Sequence, residues 1–184
     1  MSFFKKLFGR SEENNSEQET DGKTYLKVEK GSYVFNKDAL PKYTYTNLSE
    51  KEYKHIQASE SILKEMFAPL LKFDHEPVNH PLNLDEYLEL WAGSGFNEFL
   101  GIGAEQHTAF LSYNFGQYLV DQYGMKWQTK SDGTGTQTVV RMEKPLEIEL
   151  YPVDSTLRAI KNKEFAIYSG IEEKLKRALE QFGK

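Results

Sequence analysis

The chain has no cysteine in its 184 residues. That absence excludes a disulfide framework, a thiolate zinc site and a cysteine nucleophile, and it fits a reducing compartment. No apolar run approaches the length of a membrane-spanning helix. At the N-terminus Lys5, Lys6 and Arg10 interrupt the apolar core that a secretory signal needs. Basic excess is missing too: the formal net charge is -5 and the pI is near 5.5. Nucleic-acid binders need the opposite balance to displace counterions. These absences lead to the expectation of a cytoplasmic protein with no nucleic-acid partner.

What is present is aromatic and acidic. The chain holds 11 Tyr and 12 Phe, enough rings to build a core and to leave amphipathic ones at the surface. Residues 1–10, MSFFKKLFGR, place Phe3, Phe4, Leu7 and Phe8 on one helical face, with Lys5, Lys6 and Arg10 adding positive charge. This leader is expected to make weak peripheral contact with an anionic membrane surface or a partner groove. Residues 11–22 carry five acids and no apolar residue, a composition that reads as a disordered linker. The remainder, 23–184, is expected to be a single domain.

Within that domain the apolar pattern predicts a hairpin over residues 23–36 and a helix capped by Ser49. Glu52 reaches back to complete the cap, and Tyr53, Ile56, Leu63, Met66, Phe67 and Leu70 form the stripe. Pro69 is expected to end or kink this helix. A second helix is expected after an Asn83 cap, with Glu86 three residues on. A long, largely buried helix should start at Ala104 and stop at Tyr123-Gly124. Strands at Met125–Thr129, Thr136–Met142 and Leu146–Tyr151 follow, the first two joined by a glycine turn at 131–135. Pro152 opens a helix that buries Leu157 and Ile160, and a last helix runs from Glu164 to Phe182 with Glu172 on its wet side.

Four sets of residues invite a chemical reading. His107 on the long helix would serve as a general base with Glu105 or Tyr113 beside it, although a lone histidine on an apolar face is usually a satisfied core group. Asp74, His75, Glu76 and His80 are the densest collection of metal-ligand types, in a spacing that matches no metal signature. Gly101-Ile102-Gly103 before a helix resembles part of a phosphate loop, but Gln106 stands where a third glycine belongs and no G-K-[ST] follows. Glu147 and Glu149 would lie about 7 Å apart on one strand face, within the range of an inverting glycosidase pair. Alternating glutamates on a solvated sheet face are the plainer reading.

The run Phe115-Gly116-Gln117-Tyr118-Leu119, then Tyr123-Gly124-Met125-Lys126-Trp127, then Leu150-Tyr151-Pro152 and Leu157, resembles a family of small bacterial domains of unknown function. The likeness covers about residues 100–182. It implies a helix ending in Y-G-x-x-W, a short β-meander and a Pro-started helix, and it brings no activity with it. The fold expected is α+β, with helices packed on one face of a small antiparallel β-meander. The function expected is a non-catalytic protein-interaction module, of immunity or adaptor type. The alternative is a small hydrolase using His107 with a carboxylate, or a metal in the 74–80 loop. No catalytic, cofactor-binding or metal-ligating residue is assigned, and no cofactor.

Overall fold

The computed structural model describes residues 43–182, together with the backbone of three strands at 17–20, 23–28 and 31–36. The chain divides into two units, residues 1–44 with 131–136 and residues 45–130 with 137–184.

In the first unit, β1 (Glu17–Thr20), β2 (Lys23–Val28) and β3 (Gly31–Asn36) form an antiparallel sheet in that order. Lys23 pairs with Asn36 and Val28 with Gly31, so the expected hairpin is there. β1 falls inside the stretch read as a disordered linker, and it pairs with β2 from Glu17↔Leu26 to Thr20↔Lys23. The leader at residues 1–10 lies outside the described residues.

The second unit begins with β4 (Thr44–Asn47) running into it and continues with α1 (Glu50–Ile62). Ser49 caps α1 as the sequence predicts: the Ser49 amide donates to Glu52 Oε2 at 2.8 Å, and the Glu52 amide donates to Ser49 Oγ at 3.3 Å. A π-helical turn, Leu63–Phe67, follows directly and leads into α2 (Ala68–Leu71). Pro69 therefore does not end the helix. A proline ring clashes with the carbonyl four residues back in a regular helix, and the widened turn spans that position, Glu65. The buried stripe is narrower than expected. Ile56, Ser59, Leu63 and Phe67 are buried, whereas Tyr53, Met66 and Leu70, expected with them, are exposed.

α3 (Pro81–Gly93) starts two residues before the expected cap. Pro81 suits a first helical position. The cap is His80, whose Nδ1 accepts from the Leu82 amide at 3.2 Å. Asn83 is buried inside the helix and instead ties down the preceding loop: its Nδ2 donates to the carbonyls of His75 (2.8 Å) and Val78 (3.0 Å), and its Oδ1 accepts from the His75 amide.

α4 (Ala104–Tyr123) is the centre of this unit, with ten consecutive or near-consecutive residues buried between His107 and Leu119. Gly124 stops it in the left-handed conformation at φ 64°. β5 (Lys126–Ser131), β6 (Thr136–Met142) and β7 (Ile148–Leu150) follow as a meander, and the sheet order is β4-β5-β6-β7. Val140 pairs with Leu150 and Met142 with Ile148 in the antiparallel β6/β7 register. The Asp132 carboxylate accepts from the amides of Thr134 (2.9 Å) and Gly135 (3.0 Å), which fixes the β5/β6 turn. The fold is the expected α+β arrangement.

Two helices complete the unit, α5 (Pro152–Asn162) and α6 (Ile167–Phe182). α5 buries Pro152, Thr156 and Ala159, while Leu157, expected inside, is 50% exposed. α6 has a cap that no local pattern reveals. The buried carboxylate of Asp85, on α3, accepts from the amides of Tyr168 (2.9 Å) and Ser169 (3.0 Å). It neutralises two of the free donors that every helix start leaves.

Candidate functional site

The family-like motif is where sequence and geometry meet most closely. Trp127 on β5 packs against α4 at Gly116. A Cβ placed on Gly116 would fall 2.1 Å from Cζ2 and 2.2 Å from Cη2 of the indole, so only glycine fits. The next residue, Gln117, accepts from Trp127 Nε1 through its Oε1 at 3.3 Å and donates from Nε2 to Asp121 at 2.8 Å. Gly124 supplies the reversal that brings the strand back over the helix. The run from Phe115 to Trp127 is thus a helix–strand corner. An open groove of about 290 Å³ lies beside it, with Val120, Met125 and Trp127 along its floor and Leu48, Tyr53 and Lys126 among its other lining residues.

His107 is not available as a base. Its side chain is fully buried, stacked on Trp91 at 4.7 Å between ring centroids. Nδ1 lies 2.8 Å from the hydroxyl of Tyr87 and Nε2 lies 3.0 Å from the carbonyl of Phe99. A carbonyl only accepts, so Nε2 carries the proton and Nδ1 accepts from the tyrosine. Burial pushes the ring's pKa down, opposed by its bonds to the Phe99 and Ile102 backbone. Glu105 is exposed and Tyr113 packs edge-on to Trp127 at 6.4 Å. Neither residue, although nominated by the sequence, is a partner of His107; the partners are Tyr87, twenty residues upstream, and a turn carbonyl.

That turn also explains the glycines. Phe99 and Ile102 exchange backbone hydrogen bonds at 3.1 and 3.0 Å, with Leu100 at φ 54° and Gly101 at φ 76° between them. Gly101 is there for a tight turn. Gln106, the residue that breaks the phosphate fingerprint, accepts from the Gly103 amide at 3.0 Å and so occupies the helix start itself.

The 74–80 loop does not gather its ligand types. Asp74, His75 and Glu76 are exposed. His75 and His80 stack ring on ring at 5.1 Å. Among the described residues no three His, Asp or Glu groups are placed to hold one metal ion. His80 faces a different cluster. Its ring meets Tyr118 edge-on at 5.6 Å, and the Tyr118 and Tyr123 hydroxyls donate to Glu172 Oε1 at 2.6 and 2.7 Å. Lys176 pairs with the same oxygen at 2.8 Å. Glu172, expected on the wet face of α6, is 5% exposed. Burial would raise its pKa, but Lys176 and the two tyrosines hold it below the usual carboxylate range.

The two strand glutamates part company. Glu147 is solvated and pairs with Arg141 at 2.7 Å. Glu149 is largely buried, paired with Lys130 at 2.6 Å and hydrogen-bonded by Tyr151. Arg141 sits 4.1 Å over the ring of Tyr45. The ammonium of Lys130 and the tyrosines keep Glu149 ionised against its burial, and the Tyr45 hydroxyl is pushed up to about 12 by burial and by Glu149. One glutamate fixed in an ion pair and one in water do not make an acid/base pair of matched carboxylates. Sequence reasoning missed Lys130, Tyr45 and Tyr151 as partners. The one local signal was Tyr151, two residues from Glu149 and on the same strand face.

No curated protein and no solved structure matches the chain. Residues 102–167 match the model of Domain of unknown function (DUF3806), which bears out the family likeness read from the Y-G-x-x-W corner, the meander and the Pro-started helix, and attaches no activity to it.

Proposed function

We propose that the chain is a non-catalytic protein-interaction module of the bacterial cytoplasm, of immunity or adaptor type. The observation that carries this reading is an apolar stripe left on the outside of the first helical segment. Ile62, Met66 and Leu70 recur every four residues and are 37%, 56% and 64% exposed. Scattered single apolar residues are ordinary, but large ones in a row on one helix suit a protein partner. The sealing of His107 supports the non-catalytic half of the reading. No helix of the described residues is long and apolar enough to cross a membrane.

The test uses the full chain as bait in a lysate of its own cells, beside a Met66→Lys/Leu70→Glu variant. Both sites are exposed, so the variant should melt with the wild type. Proteins retained by the wild type and lost by the variant are expected; identical captured sets would overturn the reading. The leader at residues 1–10 is proposed to add weak contact with anionic membranes, in place of any nucleic-acid partner. Equal sedimentation of the full chain and a chain lacking those residues with anionic vesicles would remove that part.

A further inference from the structure

His80 occupies an unusual position for a titratable group. Its Nδ1 is the side-chain acceptor at the start of α3, taking the Leu82 amide at 3.2 Å, and only a neutral ring has a nitrogen lone pair to offer. The ring is half-buried between groups from three directions. His75 stacks on it from the loop, Tyr118 meets it from α4, and Glu172 and Lys176 act on it from α6, with Tyr123 bound to the same glutamate oxygen.

We propose that His80 is a proton-operated latch: when its ring takes up a proton, the cap on Leu82 is lost and the first turn of α3 loosens together with the 72–80 loop. The protonated ring carries two N–H donors, and one of them then points at the Leu82 N–H. It also adds a positive charge to the positive end of a helix, which the helix dipole disfavours. A charged His80 would further stand against the His75 ring at stacking distance. The carboxylate of Glu172 is the one group that favours the charged form, and it is already held by Lys176 and two tyrosine hydroxyls.

The sign is consistent with a latch closed at neutral pH. Burial lowers the His80 pKa from the ordinary 6.5, Glu172 opposes this, and His75 and Lys176 add to it. A histidine whose folded pKa lies below its unfolded one stabilises the fold fully above 6.5. That contribution is lost as the pH falls through the folded value. Asn83, bonded to the His75 and Val78 backbone, ties the loop to the helix start, so the two loosen as one piece.

The experiment is amide hydrogen exchange of the full chain at pH 7.5 and 5.5, corrected for intrinsic rates and read at Leu82, with Phe115 and Leu119 of α4 as reporters of global opening. His80→Asn supplies a cap that does not titrate. Protection of Leu82 in the wild type should fall on the order of five-fold at the lower pH, the equilibrium equivalent of one lost cap. In His80→Asn it should hold, while the α4 amides move equally in both proteins. Leu82 protection that is flat in the wild type, or that falls equally in His80→Asn, would overturn the proposal. An NMR titration of the His80 ring in the wild type provides a second reading that needs no variant: the ring shift and the Leu82 amide shift should share one midpoint, and separate midpoints would overturn it.

Discussion

α1 and α4 pack against each other through Ser59 and Phe110, yet one is a peripheral helix and the other a central one. α4 is enclosed by α3, α5, the start of the fold and the sheet, so nearly every residue from His107 to Leu119 is inside. α1 offers one narrow stripe to the core, through Ile56, Ser59, Leu63 and Phe67. The difference teaches that apolar spacing reports burial only while the helix keeps its pitch. In α4 the pitch is regular and even a glycine is fixed by what it touches. After α1 the pitch widens in the π-helical turn, and Met66 and Phe67, adjacent in sequence, end on opposite sides of the boundary between core and water.

The largest effect should come from Phe67→Ala, which empties a fully buried site in contact with Tyr87 and Phe110 and should cost about 3–5 kcal/mol in a denaturant titration. Next comes Gly116→Ala. Alanine would favour the helix by roughly 1 kcal/mol, but its methyl overlaps the Trp127 ring, and overpacking of this kind costs about 3 kcal/mol. The net loss of about 2 kcal/mol, read as a fall in melting temperature of roughly 4–8 °C, should shrink in a Trp127→Leu background, because the two residues share one space. A melting temperature unchanged by Gly116→Ala would mean that the corner is not packed as described. The smallest effect belongs to the neighbour of Phe67: Met66→Gln should leave stability within about 0.5 kcal/mol. If Met66→Gln cost as much as Phe67→Ala, the π-helical turn would be misplaced.

Much of this fold was legible in the chain because local chemistry decides it. The Ser49 capping box, the Gly124 stop and the Asp132 turn all depend on residues within five positions of one another. The readings that failed depend on distant partners. Asn83 looks like a helix cap because its type and spacing suit one, but His80 and Pro81 start the helix earlier and leave Asn83 to hold the loop. Glu172 looks solvated because its neighbours are charged, yet Tyr118 and Tyr123 reach it from 54 and 49 residues away. His107 was read correctly as a core-facing histidine, while its partners were not, since Tyr87 comes from another helix. The exposed Leu157 and Met66 show the same limit from the other side: apolar character does not say whether a neighbour exists to cover it.

The Asp85 carboxylate has a practical consequence for anyone who would cut this chain into pieces. The stretch matching the family ends at residue 167, one residue before the amides that Asp85 caps. Asp85 itself lies ahead of residue 102, where that stretch begins. A fragment trimmed to the matched boundaries would discard both halves of this clasp, along with Tyr87 and Trp91 that close over His107. It would leave the Trp127 corner with its outer side stripped. The matched stretch is the recognisable part of the molecule, whereas a piece that keeps the clasp must reach at least from α3 through α6.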